Sequence, residues 1–308
     1  MSWTLLLIQC LNGLQYGTLL FLIAAGLTLV FGVMGFINLA HGVQYMVGAY
    51  LLFAFFHLTG SYAAAVVLSL AAAMALGLFL EHFIFRHLYG RDHLVQVLAT
   101  FGIIIFLNEL ATVLFGPATL SIEPPEILGG SIQLTEQLRY PVYRFITILA
   151  GLTVAALLYV TVTKTRVGML IRAGATTPEM VSALGVNVQK LFMIVFGVGA
   201  MLAGFAGVIA APIFAIEPGM GDNILIIAFV VIIIGGIGSI RGAFLAALLV
   251  GLFDTVGRTL LTEGLELVFP PSFSSQVGPA LASMLIYIVM AVILVMRPQG
   301  LLPAKGAA

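Results

Sequence analysis

Of the 308 residues, 62% are apolar and only 8% charged, whereas a soluble domain needs about a quarter of its residues charged to cover its surface. Lys and Arg total 12 and Asp and Glu total 12, so the chain lacks the basic excess that phosphate binding requires, and a nucleic-acid partner is excluded. The single cysteine, Cys10, excludes a disulfide framework or a cysteine metal centre and reads as a small apolar side chain.

Mostly apolar runs lie near residues 4–33, 37–57, 61–85, 94–116, 142–163, 191–214, 222–239, 243–261 and 279–296. Most approach the roughly 20 residues that a helix needs to cross hydrocarbon. Lipid offers the backbone no hydrogen-bond partner, so spans of this kind are helices that satisfy their own N–H and C=O groups. The expected fold is all-α, a polytopic transmembrane bundle of about eight to ten helices forming a single domain over 1–308. No Lys or Arg precedes Arg86, so the amino terminus lacks the basic start of a cleavable secretory signal and the first segment is expected to be retained.

Between the first two runs, residues 33–42 (Val-Met-Gly-Phe-Ile-Asn-Leu-Ala-His-Gly) form either a tight turn or an unwound break inside a re-entrant pair. Irregular backbone at membrane depth is tolerated only where protein covers it or it lines a cavity. Asn38, His41 and Gln44 cluster here and are candidates for a substrate path, with His41 able to cap unwound helix ends. Further along, Glu81 and His82 end the third run, Asn108 and Glu109 interrupt the fourth, and Asp254 and Arg258 sit one turn apart in the eighth. Intramembrane polar groups usually face a bundle interior. Asp254 and Arg258 are read as a structural pair on one helix face, and Asn108 and Glu109 join the path candidates with Gly235 and Gly236.

Small residues mark packing faces: Gly199, Ala203, Gly207 and Ala211 recur every fourth position, and Gly13 with Gly17 and Gly238 with Gly242 form GxxxG pairs. A weak similarity between Gly32, Gly35, His41, Gly42 and Gly235, Gly236, Gly238, Gly242 does not by itself support a repeat.

Basic residues in short loops set orientation. Arg86, Arg91, Lys164, Arg166, Arg172, Lys190, Arg241, Arg297 and Lys305 fall on one side, against Arg139, Arg144 and Arg258, which is nine of the 12 against three. The first side is expected to be cytoplasmic, with the carboxyl terminus there. Segments 117–141 and 262–278 are then outer loops, and Glu123, Glu126, Glu136, Glu217, Asp222, Glu263 and Glu266 lie on that outer side.

The longest basic stretch, 164–190, holds a short helix. Thr177 suits the N-cap, Pro178 the first helical position and Glu179 the positive end of the dipole. Gly185 suits the left-handed residue that ends a helix. Met180, Ala183 and Leu184 share one apolar face, and two turns of helix are not stable alone. The helix therefore docks either on the ends of its own bundle or in a groove of a partner.

No catalytic constellation is present. There is no His-Glu-x-x-His, no cysteine cluster, no Gly-x-Gly-x-x-Gly opening a nucleotide fold and no P-loop. Ser131 and Ser239, each after a glycine, come without a base. The chain is expected to be no enzyme, with no catalytic residue, metal or cofactor of its own. If ATP drives the system, another chain binds it.

Residues 24–50, with Gly26-Leu27-Thr28-Leu29-Val30-Phe31-Gly32, Ile37-Asn38-Leu39-Ala40-His41-Gly42 and Val47-Gly48-Ala49-Tyr50, resemble the branched-chain amino-acid ABC transporter permeases, specifically the LivH-like subunit. So do Ile171-Arg172-Ala173 through Leu184-Gly185-Val186-Asn187, Gly235-Gly236-Ile237-Gly238-Ser239-Ile240-Arg241-Gly242-Ala243 and Arg297-Pro298-Gln299-Gly300-Leu301. The resemblance runs end to end. It implies a multi-pass permease of the bacterial inner membrane that pairs with a LivM-like permease, two ATP-binding cassette subunits and an extracytoplasmic solute-binding protein. It also makes 164–190 a coupling loop, with Thr177, Pro178, Glu179, Met180, Ala183, Leu184 and Gly185 contacting the cassettes. The implied substrates are branched-chain or other hydrophobic amino acids, although similar permeases handle urea, short amides and aromatic acids. The rival reading is a self-sufficient channel or gradient-driven transporter in which Glu109 carries ion coupling. Energetics separates the two, because the first needs ATP and partner subunits.

Overall fold

A computed structural model describes residues 3–135 and 138–303, so Glu136 and Lys305 lie outside the described residues. The chain is an all-α polytopic bundle. In order come α1 (Trp3–Met34), α2 (His41–Thr59), α3 (Tyr62–Phe83), α4 (His93–Phe115), a hairpin of β1 (Ser131–Thr135) and β2 (Leu138–Pro141), and α5 (Val142–Lys164). Then follow α6 (Arg166–Thr176), α7 (Pro178–Ala183), α8 (Val188–Ala210), α9 (Met220–Gly235), α10 (Ile240–Glu266) and α11 (Pro271–Met296). Among the described residues, eight helices are long and apolar enough to cross a membrane, and α9 is shorter. Each of the nine apolar runs corresponds to one helix.

Helix α1 is the axis. It is buried on every side from Thr18 to Val30, as expected of a helix apolar all round, and it packs on α5, α8, α9 and α10. The basic end of the bundle collects the end of α1, the start of α8 and the start of α10. There Arg241 donates to the Tyr159 hydroxyl at 2.9 Å and lies over its ring. At the opposite end the β-hairpin is pinned through Asn12, whose Oδ1 accepts from Tyr140 at 3.3 Å and from Arg144 at 2.9 Å.

Two helices start inside the bundle. The ring of His41, the first residue of α2, donates from Nε2 to the carbonyl of Ile23 at 3.0 Å. Ile23 lies eleven residues before the end of α1, about 16 Å up the helix, so residues 35–40 turn back into the bundle. Residues 33–42 are thus an unwound return and not a turn at the surface. The same happens from the other side. After Ala210 the chain dips back, Ile216 pairs with Leu120 through two backbone hydrogen bonds of 2.8 Å, and α9 begins beside the start of α2. There a Cβ on Gly42 would lie 2.5 Å from the carbonyl oxygen of Gly221.

This makes α1–α4 and α8–α11 two similar sets of opposite sense. Each has a long helix, an unwound return, a helix starting inside and two further helices, and α1 packs on α10 as α8 packs on α3. The counterpart of Gly42 is Gly221, so the internal repeat runs in a different register from the glycine similarity seen in the sequence. Inverted repeats of this kind characterise transporters.

Other departures from the expectations have simple causes. Segment 262–278 is helical except at 267–270, because α10 and α11 run on past the apolar stretch that marks them in sequence. The outer loop 117–141 holds the hairpin, where Leu138 and Tyr140 point inward and Arg139 outward. In 164–190, α6 precedes the short helix. Its amphipathic pattern is capped by the Thr165 hydroxyl, which accepts from the Gly168 N–H at 3.2 Å.

Replacing Gly42 by Ala should drive α2 and α9 apart, since overpacking typically costs 1–3 kcal/mol. Gly264, on α10 with nothing within 4 Å of an added Cβ, should accept Ala without loss. Thermal unfolding of the two variants in detergent checks this: a lower midpoint for G42A and an unchanged or higher one for G264A are expected.

Candidate functional site

Two regions bear on function: the broken-helix centre and the basic end below it. At the centre, Asn38 and His41 are 0% exposed and Gln44 is also buried. They lie within one chain, covered by α1, α2, α8 and α9, so in this conformation none of the three lines an open path. His41 ties α2 to α1, with its ring against Gly26, where a Cβ would sit 2.9 Å from the imidazole and 2.6 Å from the Gly199 carbonyl. Among the described residues, neither amide atom of Asn38 has a hydrogen-bond partner. An unsatisfied buried amide costs about 1–3 kcal/mol, so the packing at this break is weakened by that amount.

Sequence reading missed the residue that holds the break in place. Gln96, in the first turn of α4, accepts at Oε1 from the backbone N–H of Ile37 and from His93 Nδ1, each at 3.3 Å. Its Nε2 donates to the carbonyls of Leu88 and Arg91, each at 3.2 Å. One amide thus makes four bonds, its full capacity, and joins the unwound return after α1 to the α3–α4 loop. The available signal was a lone amide near the start of an apolar run.

That loop is tied to a buried carboxylate in the last turn of α3. Glu81 is paired with Arg86 at 3.5 Å and accepts from the Tyr89 hydroxyl at 3.2 Å. Burial, and then the neighbouring Glu81 carboxylate, push the Tyr89 hydroxyl above its ordinary range, so Tyr89 stays a donor. Asp254 and Arg258 form a bidentate pair at 2.7–3.0 Å, and Arg258 also reaches Ser283 on α11 at 3.1 Å, which is the structural pairing expected.

The remaining path candidates separate. Asn108 is half-buried on the flank of α4, while Glu109 is exposed. Gly235 and Gly236 are packed shut. Gly235 lies against Gly242, and the tail caps α9, with Leu301 and Leu302 donating to the carbonyls of Ile234 and Gly235 at 2.8 and 3.1 Å. Gly236 has φ +101 and Gly300 φ +82, conformations that glycine adopts without strain. The two glycine-containing motifs near 235–243 and 297–301 therefore form one clasp. Ser239 caps α10, accepting from the Gly242 N–H at 3.1 Å.

At the basic end, Pro178 takes the first position of α7, and Gly185 ends it with φ +85. Thr177 stands at the cap position but its side chain makes no capping bond, because its backbone is not in the extended form that aims the hydroxyl at the helix start. Val181, 4% exposed, anchors the helix to its own bundle. Met180 at 65% and Leu184 at 80% exposure point outward with Ala183. Docking on its own bundle thus uses Val181 and leaves Met180, Ala183 and Leu184 uncovered. Between α7 and the bundle lies an open cavity of about 550 Å³, bordered by Met34, Gly35, Tyr89, Gly174, Pro178 and Phe192. Among the described residues no group of three or more His, Cys, Asp or Glu could hold a metal.

The profile of the family described as the branched-chain amino acid transport system permease component matches residues 9–294. The chain is 30% identical over 269 residues to the high-affinity branched-chain amino acid transport system permease protein BraD of Pseudomonas aeruginosa, covering 83% of this chain and 87% of the relative. It is 29% identical over 268 residues to the corresponding LivH of Escherichia coli K12, covering 82% and 86%. No solved structure matches significantly.

Replacing Gln96 with Leu leaves the Ile37 N–H and the Arg91 carbonyl unpaired, while the Leu88 carbonyl keeps the Arg91 N–H at 3.0 Å, at about 1–3 kcal/mol per unsatisfied group. Hydrogen exchange should rise in residues 35–40 of Q96L and stay unchanged in β1–β2. Equal protection at 35–40 in both proteins would show that Gln96 does not hold the break.

Proposed function

The chain belongs to the family of branched-chain amino acid transport permeases, and from that premise we propose that it is the LivH-like half of an ABC importer, with no catalysis of its own. The observation that carries this reading is α7. A short helix at the basic end turns Val181 inward and leaves Met180, Ala183 and Leu184 uncovered, which suits a groove on an ATP-binding cassette. ATP is bound there, since this chain has no phosphate-binding loop. The basic end is cytoplasmic by the excess of Arg and Lys, and the carboxyl terminus lies on that side.

The mechanism follows from the connections. A cassette that moves α7 also moves α6, whose Gly174 rests on Leu191 of α8. The cavity behind α7 leaves room for that displacement, and its far wall is the end of α1 where the unwound return begins. Helices α2 and α9, each starting inside the bundle after an unwound return, are the elements that rearrange, while α1 with α10 and α8 with α3 remain packed. Rocking of packed bodies about such breaks is how alternating access is achieved. A LivM-like permease supplies the other wall of the path and a solute-binding protein delivers a branched-chain or other hydrophobic amino acid to the outer face. Sequence similarity to BraD and LivH supports that substrate class.

Uptake into vesicles holding the co-expressed complex should require ATP inside and the binding protein outside. Uptake by this chain alone under an ion gradient, or ATP hydrolysis by it, would sink the proposal.

Leu184→Asp would bury an unpaired carboxylate in the cassette groove, at a cost of several kcal/mol. Insertion and pairing with the second permease should persist, while cassette co-purification and transport-linked ATP hydrolysis fall together. Wild-type assembly and transport in L184D would remove α7 from the coupling role.

A further inference from the structure

Helix α4 is attached to its own chain by a strip one residue wide. Its buried positions are Gln96, Thr100, Ile104, Leu107 and Ala111, which fall on one line of a helix at 100° per residue. On its flank toward α3 it stands off across an apolar groove of about 370 Å³. Opposite the strip lie Leu98, Gly102, Ile105 and Glu109, Gly102 also bordering that groove, and all four are exposed.

Two of these residues are out of place on a face toward lipid. Glu109 is a carboxylate six residues inside the end of α4, pointing away from the chain that carries it, and ionisable groups at such a position face a protein or water and not acyl chains. Gly102 lies seven residues earlier, about 20° away around the helix. An added Cβ there would meet nothing within 4 Å, so this chain gives no reason for a glycine. A glycine on a membrane helix lets another backbone approach closely. The two features are independent and share one face. By contrast α5 carries no charge between Arg144 and Lys164, and α11 carries none from Pro271 to Met296, although both expose large apolar side chains such as Leu149 and Ile288. Those are surfaces suited to lipid.

We propose that the outer face of α4 is the seam with the second permease chain, whose helix crosses closely at Gly102 and presents a cation or hydrogen-bond donor to Glu109. This rests on the reading of the chain as one half of a two-permease importer.

The test uses the complete co-expressed complex. A photo-crosslinking amino acid at Ile105 should capture the second permease, and the same group at Leu149 or Ile288 should not. E109K should lower co-purified second permease about tenfold or more, as for a reversed charge at a buried pair, at an unchanged amount of this chain in the membrane, while E109Q, which keeps a hydrogen-bonding group of the same shape, retains most of it. Capture from Leu149 or Ile288 but not Ile105, capture of a second copy of this chain at Ile105, or wild-type co-purification of E109K would each overturn the assignment while leaving the permease reading intact. If no second permease co-purifies with the wild-type chain, the proposed function falls and this inference with it.

Discussion

Backbone without a hydrogen-bond partner is intolerable in hydrocarbon, and the architecture of this chain is organised around two places where that rule is strained. Residues 35–40 and 211–219 both leave helical structure and re-enter the bundle. The first is held by Gln96 bonding the Ile37 N–H and by His41 reaching Ile23, and the second by the paired strand contact between Ile216 and Leu120. Protein buries Phe36, Asn38 and Ala40 of the first and Ala211 and Ile216 of the second. The central position of α1, the glycine contacts of α2 with α9 and the attachment of α4 through Gln96 all serve to enclose irregular backbone.

The enclosure also explains why so many small residues sit where they do. Close approach at Gly26 with Gly199 and at Gly42 with Gly221 lets carbonyls and helix starts pack without intervening side chains. Dispersion contacts and a few polar bonds then supply the attraction that the hydrophobic effect cannot provide between helices already in lipid. A bundle built this way has rigid seams, such as α1 on α10, and weak ones at its polar breaks. The buried amide of Asn38, without a partner among the described residues, lies at a weak one.

Function is read at the two ends of this mechanical arrangement. An exposed apolar face on α7 sits below the break, and a strip of polar groups on α4 and α9 sits above it. Between them run the two unwound returns, at 35–40 and 211–219, with the helices α2 and α9 that follow them.

Membership of the fold class, the nine apolar segments, the basic end and the short helix ended by Gly185 followed from sequence, because hydropathy, charge asymmetry and capping preferences act on neighbouring residues. The alternative at 33–42 stayed open until the depth of His41 was known, since a turn and a return into the bundle use the same residues. Gln96 was passed over because its value lies in joining Ile37 to Leu88 and Arg91, none of which adjoins it in the chain. The sequence makes Gly235 and Gly236 path candidates, whereas the tail at Leu301 and Leu302 closes over them, a contact made across more than sixty residues. Periodicity and composition therefore determined which segments cross the membrane and which end carries positive charge. Which polar groups are sealed, which face outward and where the helices break was decided by tertiary packing, because burial and hydrogen bonding in a bundle depend on neighbours that sequence order does not place together.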